Sequence, residues 1–92
     1  MIVRISGEGQ WELPDSDADR LNDLDNQAVA AVEAGNEENF RQLLGEMIEL
    51  VRKDGRELGD DELEESDVII PPSDLSFEEA GEEFSGEGLI PG

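Results

Sequence analysis

Two amphipathic helical patterns that meet at Ala34-Gly35-Asn36 constrain this chain more than any other feature of its sequence. After this turn, large apolar residues recur at steps of three and four, a spacing that places them on one stripe of a helix. Smaller apolar residues repeat in the same way before the turn. The downstream stripe comprises Phe40, Leu43, Leu44, Met47, Ile48 and Val51, and the upstream stripe comprises Leu21, Leu24, Ala28, Ala31 and Val32.

The residues that flank the two stripes are of the types that end and begin helices. Gly35 can adopt the left-handed backbone that ends a helix, and Asn36 can accept a hydrogen bond from the free amides of the next one. Glu37 and Glu38 then lie where the helix dipole favours negative charge, and Arg52-Lys53 lie near the opposite end. The sequence therefore predicts an antiparallel helix hairpin over residues 16–54.

Residues 1–13 predict a β-hairpin that precedes the helices. The segment opens with β-branched residues, continues with the turn-forming Ser6-Gly7-Glu8-Gly9, and ends with alternating polar and apolar residues. Because a two-stranded hairpin is marginally stable alone, we expect it to lean on the helices or to gain a third strand. Trp11 and Leu13 would supply its buried face.

The segment between the hairpin and the first helix is acidic. Pro14 ends the second strand, and Asp15-Ser16-Asp17-Ala18-Asp19 supplies helix caps and first-turn acids. The three aspartates also resemble the start of a calcium loop. However, the sixth and twelfth positions are Arg20 and Asn26, where that loop needs glycine and glutamate. We therefore interpret the segment as a helix start.

Residues 55–72 predict a polar connection and a short buried strand. Leu58 and Leu63 are candidate apolar anchors within the connection. Val68 and Ile70 face one way in the strand, which is our candidate third strand beside the hairpin. The strand ends at Pro71-Pro72, because proline cannot donate a hydrogen bond to a sheet.

Residues 73–92 predict a C-terminal helix followed by an apolar tail. Ser76 and Glu79 fit a capping box at the start of this helix. Gly81 lowers helix propensity by about 1 kcal/mol relative to alanine, so the helix needs tertiary contacts. The apolar face of this helix comprises Phe77, Ala80 and Phe84. The apolar tail comprises Leu89, Ile90 and Pro91.

The balance of charge limits the kinds of partner. The chain carries 26 acidic and 6 basic residues, a net charge of −20. Nucleic acids and anionic lipid headgroups repel such a surface, so we expect neither nucleic-acid binding nor direct membrane binding. Three interpretations remain: a surface suited to high salt, an acidic face for a basic partner protein, or an inhibitor that mimics nucleic acid. The acids run along the whole chain, which favours the first.

The side chains that most enzymes need are missing from this sequence. It has no histidine and no cysteine, so the usual general base, the commonest metal ligand and any thiolate are absent. We therefore predict no catalytic residue, no metal site, no cofactor and no enzymatic activity. No apolar run approaches the ~20 residues of a membrane span and no signal peptide opens the chain, so we expect a cytosolic protein.

Several segments, taken in order, resemble the small proteins associated with phage-shock protein A. The resemblance covers nearly the full length and is most specific at the two ends of the chain. This chain departs from the family pattern in its strong acidity and in its glycines at 81 and 86. The matching segments are 1–5, 7–10, 21–25, 30–35, 66–72, 76–79 and 87–92.

The resemblance implies an accessory protein of the envelope-stress system. Members of that family are typically encoded with phage-shock protein A, a membrane-remodelling coiled-coil protein, and have no established catalytic residues. It therefore implies a non-enzymatic adaptor that binds a phage-shock protein A-like coiled coil and reaches a membrane only through it. We expect its contacts to include exposed parts of the helix hairpin, Phe77, Phe84 and the tail residues Leu89, Ile90 and Pro91. The equal alternative is that the tail packs onto its own domain.

Together these patterns predict one small α+β domain over residues 1–92. Its parts are a β-hairpin over 1–13 and a helix hairpin over 16–54, followed by a connection with a short third strand over 55–72. A C-terminal helix and an apolar tail occupy 73–92. The oligomeric state is left open by the sequence.

Overall fold

The computed structural model of the chain describes residues 1–84. It contains four strands, two long helices, one short helix and a single 3₁₀ turn within those residues. The small α+β fold predicted from the sequence is confirmed. In chain order the elements are β1 (Ile2–Ile5), β2 (Gly9–Glu12), α1 (Asp15–Glu33), α2 (Glu37–Asp54), β3 (Arg56–Glu57), the 3₁₀ turn (Asp60–Glu62), β4 (Val68–Ile70) and α3 (Phe77–Glu83).

The helix hairpin forms where the two apolar stripes predict it. Gly35 has a φ of +71°, the left-handed backbone that ends α1. Its N–H donates to Val32 O at 3.0 Å. Asn36 caps α2, because its side chain accepts a hydrogen bond from Asn39 N at 3.2 Å. The predicted turn chemistry is therefore confirmed.

The start of α1 differs from the prediction of a side-chain cap. Pro14 occupies the N-cap position and no side chain caps the helix. The proline holds extended backbone, with φ −60° and ψ 149°, and its carbonyl accepts from Asp17 N at 2.9 Å. This arrangement moves Asp15 and Asp17 into the first turn, where the helix dipole favours negative charge. The expectation that this acidic segment supplies the cap was wrong, and the expectation of first-turn acids is confirmed.

The sheet has the strand order β3-β2-β1-β4. Strands β1 and β2 are antiparallel, with Val3 opposite Trp11. Strand β4 lies parallel to β1, with Arg4 opposite Ile69, so the helix hairpin lies within the crossover between them. The predicted third strand is confirmed, and it places Val68–Ile70 beside Val3–Ile5.

The fourth strand, β3, occurs where the sequence predicts a polar connection. Gly55 ends α2 beside the sheet, where an added Cβ would lie 2.5 Å from Val51 O and 3.1 Å from Trp11 Cβ. The chain passes this close contact and pairs Glu57 with Trp11. Two charged residues give no alternating pattern, so the sequence carries no signal of this strand.

The core lies between one face of the sheet and the helices. Leu58 is 7% exposed and acts as the predicted anchor of the connection, whereas Leu63 is 55% exposed, so its predicted anchor role was wrong. Both apolar stripes face the core, and Val32 packs against it while remaining partly exposed. The largest fully buried apolar side chains are Phe40, Phe84, Ile5, Leu13, Leu21, Leu44, Met47 and Ile70.

Candidate interaction surfaces

Helix α3 buries its apolar face against Phe40 of α2. Phe84 is 0% exposed, and its ring meets the Phe40 ring edge-on at a centroid distance of 5.0 Å. Phe77 approaches the same ring at 6.0 Å, also edge-on. Ala80 is fully buried beside them. The predicted apolar face of this helix is therefore confirmed as part of the core.

The residues predicted to bind a partner fall into three groups. Phe77 is partly exposed, so part of its surface is accessible. Phe84 has no accessible surface in this conformation. The tail residues Leu89, Ile90 and Pro91 lie outside the described residues. Partner binding by any of the five stays a prediction.

The predicted cap of α3 is present. Ser76 Oγ accepts a hydrogen bond from Glu79 N at 3.1 Å, and the same hydroxyl donates to Glu79 Oε1 at 3.0 Å. These contacts hold Glu79 at the start of the helix. They also orient its side chain toward the segment that follows β4.

A groove of about 340 Å³ lies where β4, the segment after it and α3 come together. Ile69 borders it and is 56% exposed, while Leu75 adds an apolar side chain from the opposite direction. Charge on this groove is negative, because its lining includes three carboxylates and no basic side chain. The lining residues are Ser6, Ile69, Pro71, Pro72, Asp74, Leu75, Glu79 and Glu83.

A second hollow, of about 360 Å³, opens on the outer face of α2. Gly45 is one of its lining residues, and an added Cβ there would have no heavy atom within 4 Å. One side is closed by Ser73, whose carbonyl accepts a hydrogen bond from Arg41 Nη1 at 3.2 Å. Its lining residues are Gln42, Gly45, Glu46, Ile48, Glu49, Arg52 and Ser73.

The polar side chain of Gln10 is 1% exposed and holds the connection between β3 and β4. Its amide nitrogen donates to Glu64 O and to Ser66 Oγ, the second at 2.7 Å. Its amide oxygen accepts from Glu64 N at 3.1 Å. Alternation along β2 predicts Gln10 on the outer, solvated face, so sequence reasoning missed this role. The hydrogen-bond partners are 54 and 56 positions away, and no local signal marks them.

Ion pairs on the surface join separate elements. Arg52 of α2 pairs with Glu8 of the β1–β2 turn. Arg56 Nη1 lies 3.0 Å from Glu62 Oε2, and this guanidinium, together with the Gly59 N–H, lowers the pKa of the Glu62 carboxyl. The first pair joins α2 to the β1–β2 turn and the second joins β3 to the 3₁₀ turn, although exposed pairs contribute little individually.

Like charges meet where α1 begins and α2 ends. The pKa of Asp17 is raised above its ordinary value of 3.8 by partial loss of hydration, by the charge of Asp54 and by a side-chain hydrogen bond between the two carboxyls. At neutral pH this contact is repulsive. Asp15, Asp17 and Asp19 all lie in α1, so the helix interpretation of this cluster is confirmed.

The described residues hold neither a metal-ligand cluster nor a membrane-spanning helix. Residues 1–84 contain no group of three or more acidic, histidine or cysteine side chains placed to hold a metal ion. No helix within that part is both long and apolar enough to cross a membrane.

Comparison with known families identifies the chain. The family model described as "PspA-Associated protein" matches residues 1–92, the whole sequence. The chain belongs to the PspA-associated protein family. No curated protein and no solved structure matches it.

Membership of the PspA-associated protein family confirms the resemblance seen in the sequence. The family is an accessory family of PspA-related systems and is not a known enzyme family. Its description refers to association, so the features of functional interest are surfaces that a protein partner can cover. The groove beside β4 and the hollow on α2 are two such surfaces in the described residues.

Proposed function

We propose that this protein is a non-enzymatic adaptor that binds a PspA-type coiled coil in a membrane-stress response. The observation that carries the proposal is the family match over residues 1–92. The partner, and not this chain, would make the contact with the membrane. The net charge of −20 supports a membrane contact made by the partner, because this charge opposes adsorption of the chain itself to anionic lipid.

The proposed contact for the coiled coil is the exposed face of the helix hairpin around Gly45. Coiled-coil helices pack by inserting side chains into holes on the facing helix. The hollow at Gly45 supplies such a hole, since no atom lies within 4 Å of the missing Cβ. The terminal residues Leu89, Ile90 and Pro91 are a second proposed contact, on sequence grounds.

The proposal is tested by mixing the purified chain with a purified PspA-type coiled coil and measuring binding by calorimetry. We expect a complex that persists between about 0.1 M and 1 M salt, because the accessible surface of the hollow is mostly apolar even though charged side chains border it. Binding that falls steeply with salt would favour the acidic-inhibitor alternative. No complex at either salt concentration would overturn the proposal.

A matched pair of variants tests the contact surface. Gly45→Gln adds a side chain at the hollow, where its Cβ meets no heavy atom within 4 Å, and it should raise helix stability by up to about 1 kcal/mol because glycine is a poor helix former. Ala30→Gln adds the same side chain to an exposed position of α1. We expect the first variant to weaken coiled-coil binding and the second to leave it unchanged. Equal binding by both would place the contact elsewhere.

A further inference from the structure

The described sheet has two edge strands, β3 and β4, and the outer edge of β4 is called the open edge below. This strand is the last in the order β3-β2-β1-β4, so β1 pairs with one of its edges and no described strand pairs with the other. Ser6 N donates to Ile70 O at 2.9 Å, which fixes Ile70 with its carbonyl toward β1. Backbone groups of successive strand residues point to opposite sides, so the N–H and C=O of Ile69 point to the open edge.

The groove adjoins β4 at Ile69 and also reaches Ser6, just after β1. Extended peptides bind other proteins by pairing with an exposed sheet edge while alternate side chains enter neighbouring pockets. Here Ile69 stands at the edge, and Leu75 and Pro71 provide apolar surface within the same groove. Helix α3 forms the opposite wall with Glu79 and Glu83.

The charge of the groove selects the kind of peptide. Asp74, Glu79 and Glu83 line it, and its lining contains no lysine or arginine. A cationic side chain entering the groove would meet these carboxylates at short range, whereas an acidic side chain would be repelled. The two prolines after β4 limit pairing to a short stretch, because Pro71 offers no N–H.

We propose that the β4–α3 groove binds an extended, lysine- or arginine-bearing segment of a protein partner, which adds to β4 as a further strand. The segment would exchange backbone hydrogen bonds with Ile69 and place cationic side chains against Asp74 and Glu83. This goes beyond the proposed coiled-coil contact and does not depend on it, since the groove and the hollow at Gly45 are lined by different residues.

Charge also argues against the two occupants that this chain could supply. A second copy pairing through β4 would bring together two chains of net charge −20 and two sets of groove carboxylates. The C-terminal sequence 85–92 contains Glu87 and no basic residue. A basic segment from another protein has the complementary charge.

The test uses fluorescent peptides and measures binding by anisotropy. The probe is a short peptide in which lysine alternates with valine. One control replaces lysine with glutamate. A second keeps lysine but carries N-methyl groups on the backbone amides of one edge, which removes strand pairing and preserves charge.

The protein variants separate the groove from the overall charge. Asp74→Asn/Glu83→Gln removes two groove carboxylates. Asp23→Asn/Glu38→Gln makes the same chemical change at two exposed helix positions away from it. In labelled protein, the amide resonance of Ile69 reports directly on the open edge.

We expect the lysine probe to bind and to shift the Ile69 amide resonance, and the glutamate and N-methyl peptides to bind at least about tenfold more weakly. Affinity for the lysine probe should fall about three- to twentyfold in the groove variant and less than about twofold in the control variant. Equal binding by the lysine and N-methyl peptides would show ionic adsorption and overturn the proposal. Equal losses in the two variants, or a β4-paired dimer of the free protein, would also overturn it.

Discussion

Replacing Gln10 should detach the connection between β3 and β4 from the sheet. The side chain is 1% exposed and makes three hydrogen bonds, two with the backbone of Glu64 and one with Ser66 Oγ. At about 0.5–1.5 kcal/mol each, these bonds predict that Gln10→Ala lowers the free energy of unfolding by about 2–4 kcal/mol. In the variant, water can replace part of the lost hydrogen bonding to the Glu64 backbone, because Glu64 lies at the surface.

The matched control is Glu12→Ala, two positions along β2 and on the same face of the sheet. The Glu12 side chain is 52% exposed and its carboxylate lies 3.8 Å from Arg56, so its loss should cost less than about 1 kcal/mol. Urea unfolding measures both variants, and hydrogen exchange at the Glu64 amide measures the local opening. If Gln10→Ala costs no more than Glu12→Ala, or leaves the Glu64 amide protected, the connection is not held by these bonds.

Four other perturbations test the core, the charge and the route to a membrane. Leu44→Ala, at a position 1% exposed, should lower the free energy of unfolding by about 2–5 kcal/mol, and the exposed Glu46→Ala by less than about 0.5 kcal/mol. Equal effects in denaturant melts would show that the stripe is misassigned. Raising salt from about 0.1 M to 1 M should raise the Tm, because the Debye length falls from about 10 Å to 3 Å and screens the repulsion of a −20 charge. A flat or falling Tm would mean that the charges are already compensated. Asp17→Asn should stabilise the protein at pH 7 more than Asp19→Asn does. The folded state raises the pKa of Asp17 above 3.8, so stability from this group is present below 3.8 and is lost as pH rises through the raised value. A gain in Tm that does not shrink as pH falls toward 3.8 would contradict this reasoning. In liposome flotation with anionic vesicles, the protein alone should stay at the bottom of the gradient and should float only when its partner is present. Flotation of the protein without the partner would refute recruitment through the partner.

The helix hairpin could be predicted from sequence because its signal repeats over many residues. Six apolar positions of α2 agree with one helical stripe, and all six are buried. Its turn carries local chemistry as well, since Gly35 and Asn36 act through their own backbone and side chain. Strand β4 was predictable for a similar reason, because a short apolar run ends at two prolines.

The remaining features depend on contacts between distant parts of the chain. Strand β3 is two charged residues long and pairs because Gly55 brings the backbone against Trp11. Gln10 is buried and hydrogen-bonded to the connection, at residues 54 and 56 positions away in the sequence. The groove beside β4 likewise draws its lining from β4, the segment after it and α3. No periodic pattern can report such a surface, since its residues meet only after the sheet has formed.

The burial of Phe84 decides which part of α3 a partner can reach. This helix has seven residues and contains Gly81, so it is too short to be stable without packing. Phe84 supplies that packing through its contact with Phe40. A partner that captured the Phe84 ring would have to remove it from the core, at a cost of about 3–5 kcal/mol on the scale of core phenylalanine losses, which lowers affinity by more than a hundredfold. Phe77 carries no such cost, because it is already partly exposed. Phe84 therefore holds α3 in place as a wall of the groove, and Phe77 is the aromatic residue of this helix that a partner can contact without opening the fold.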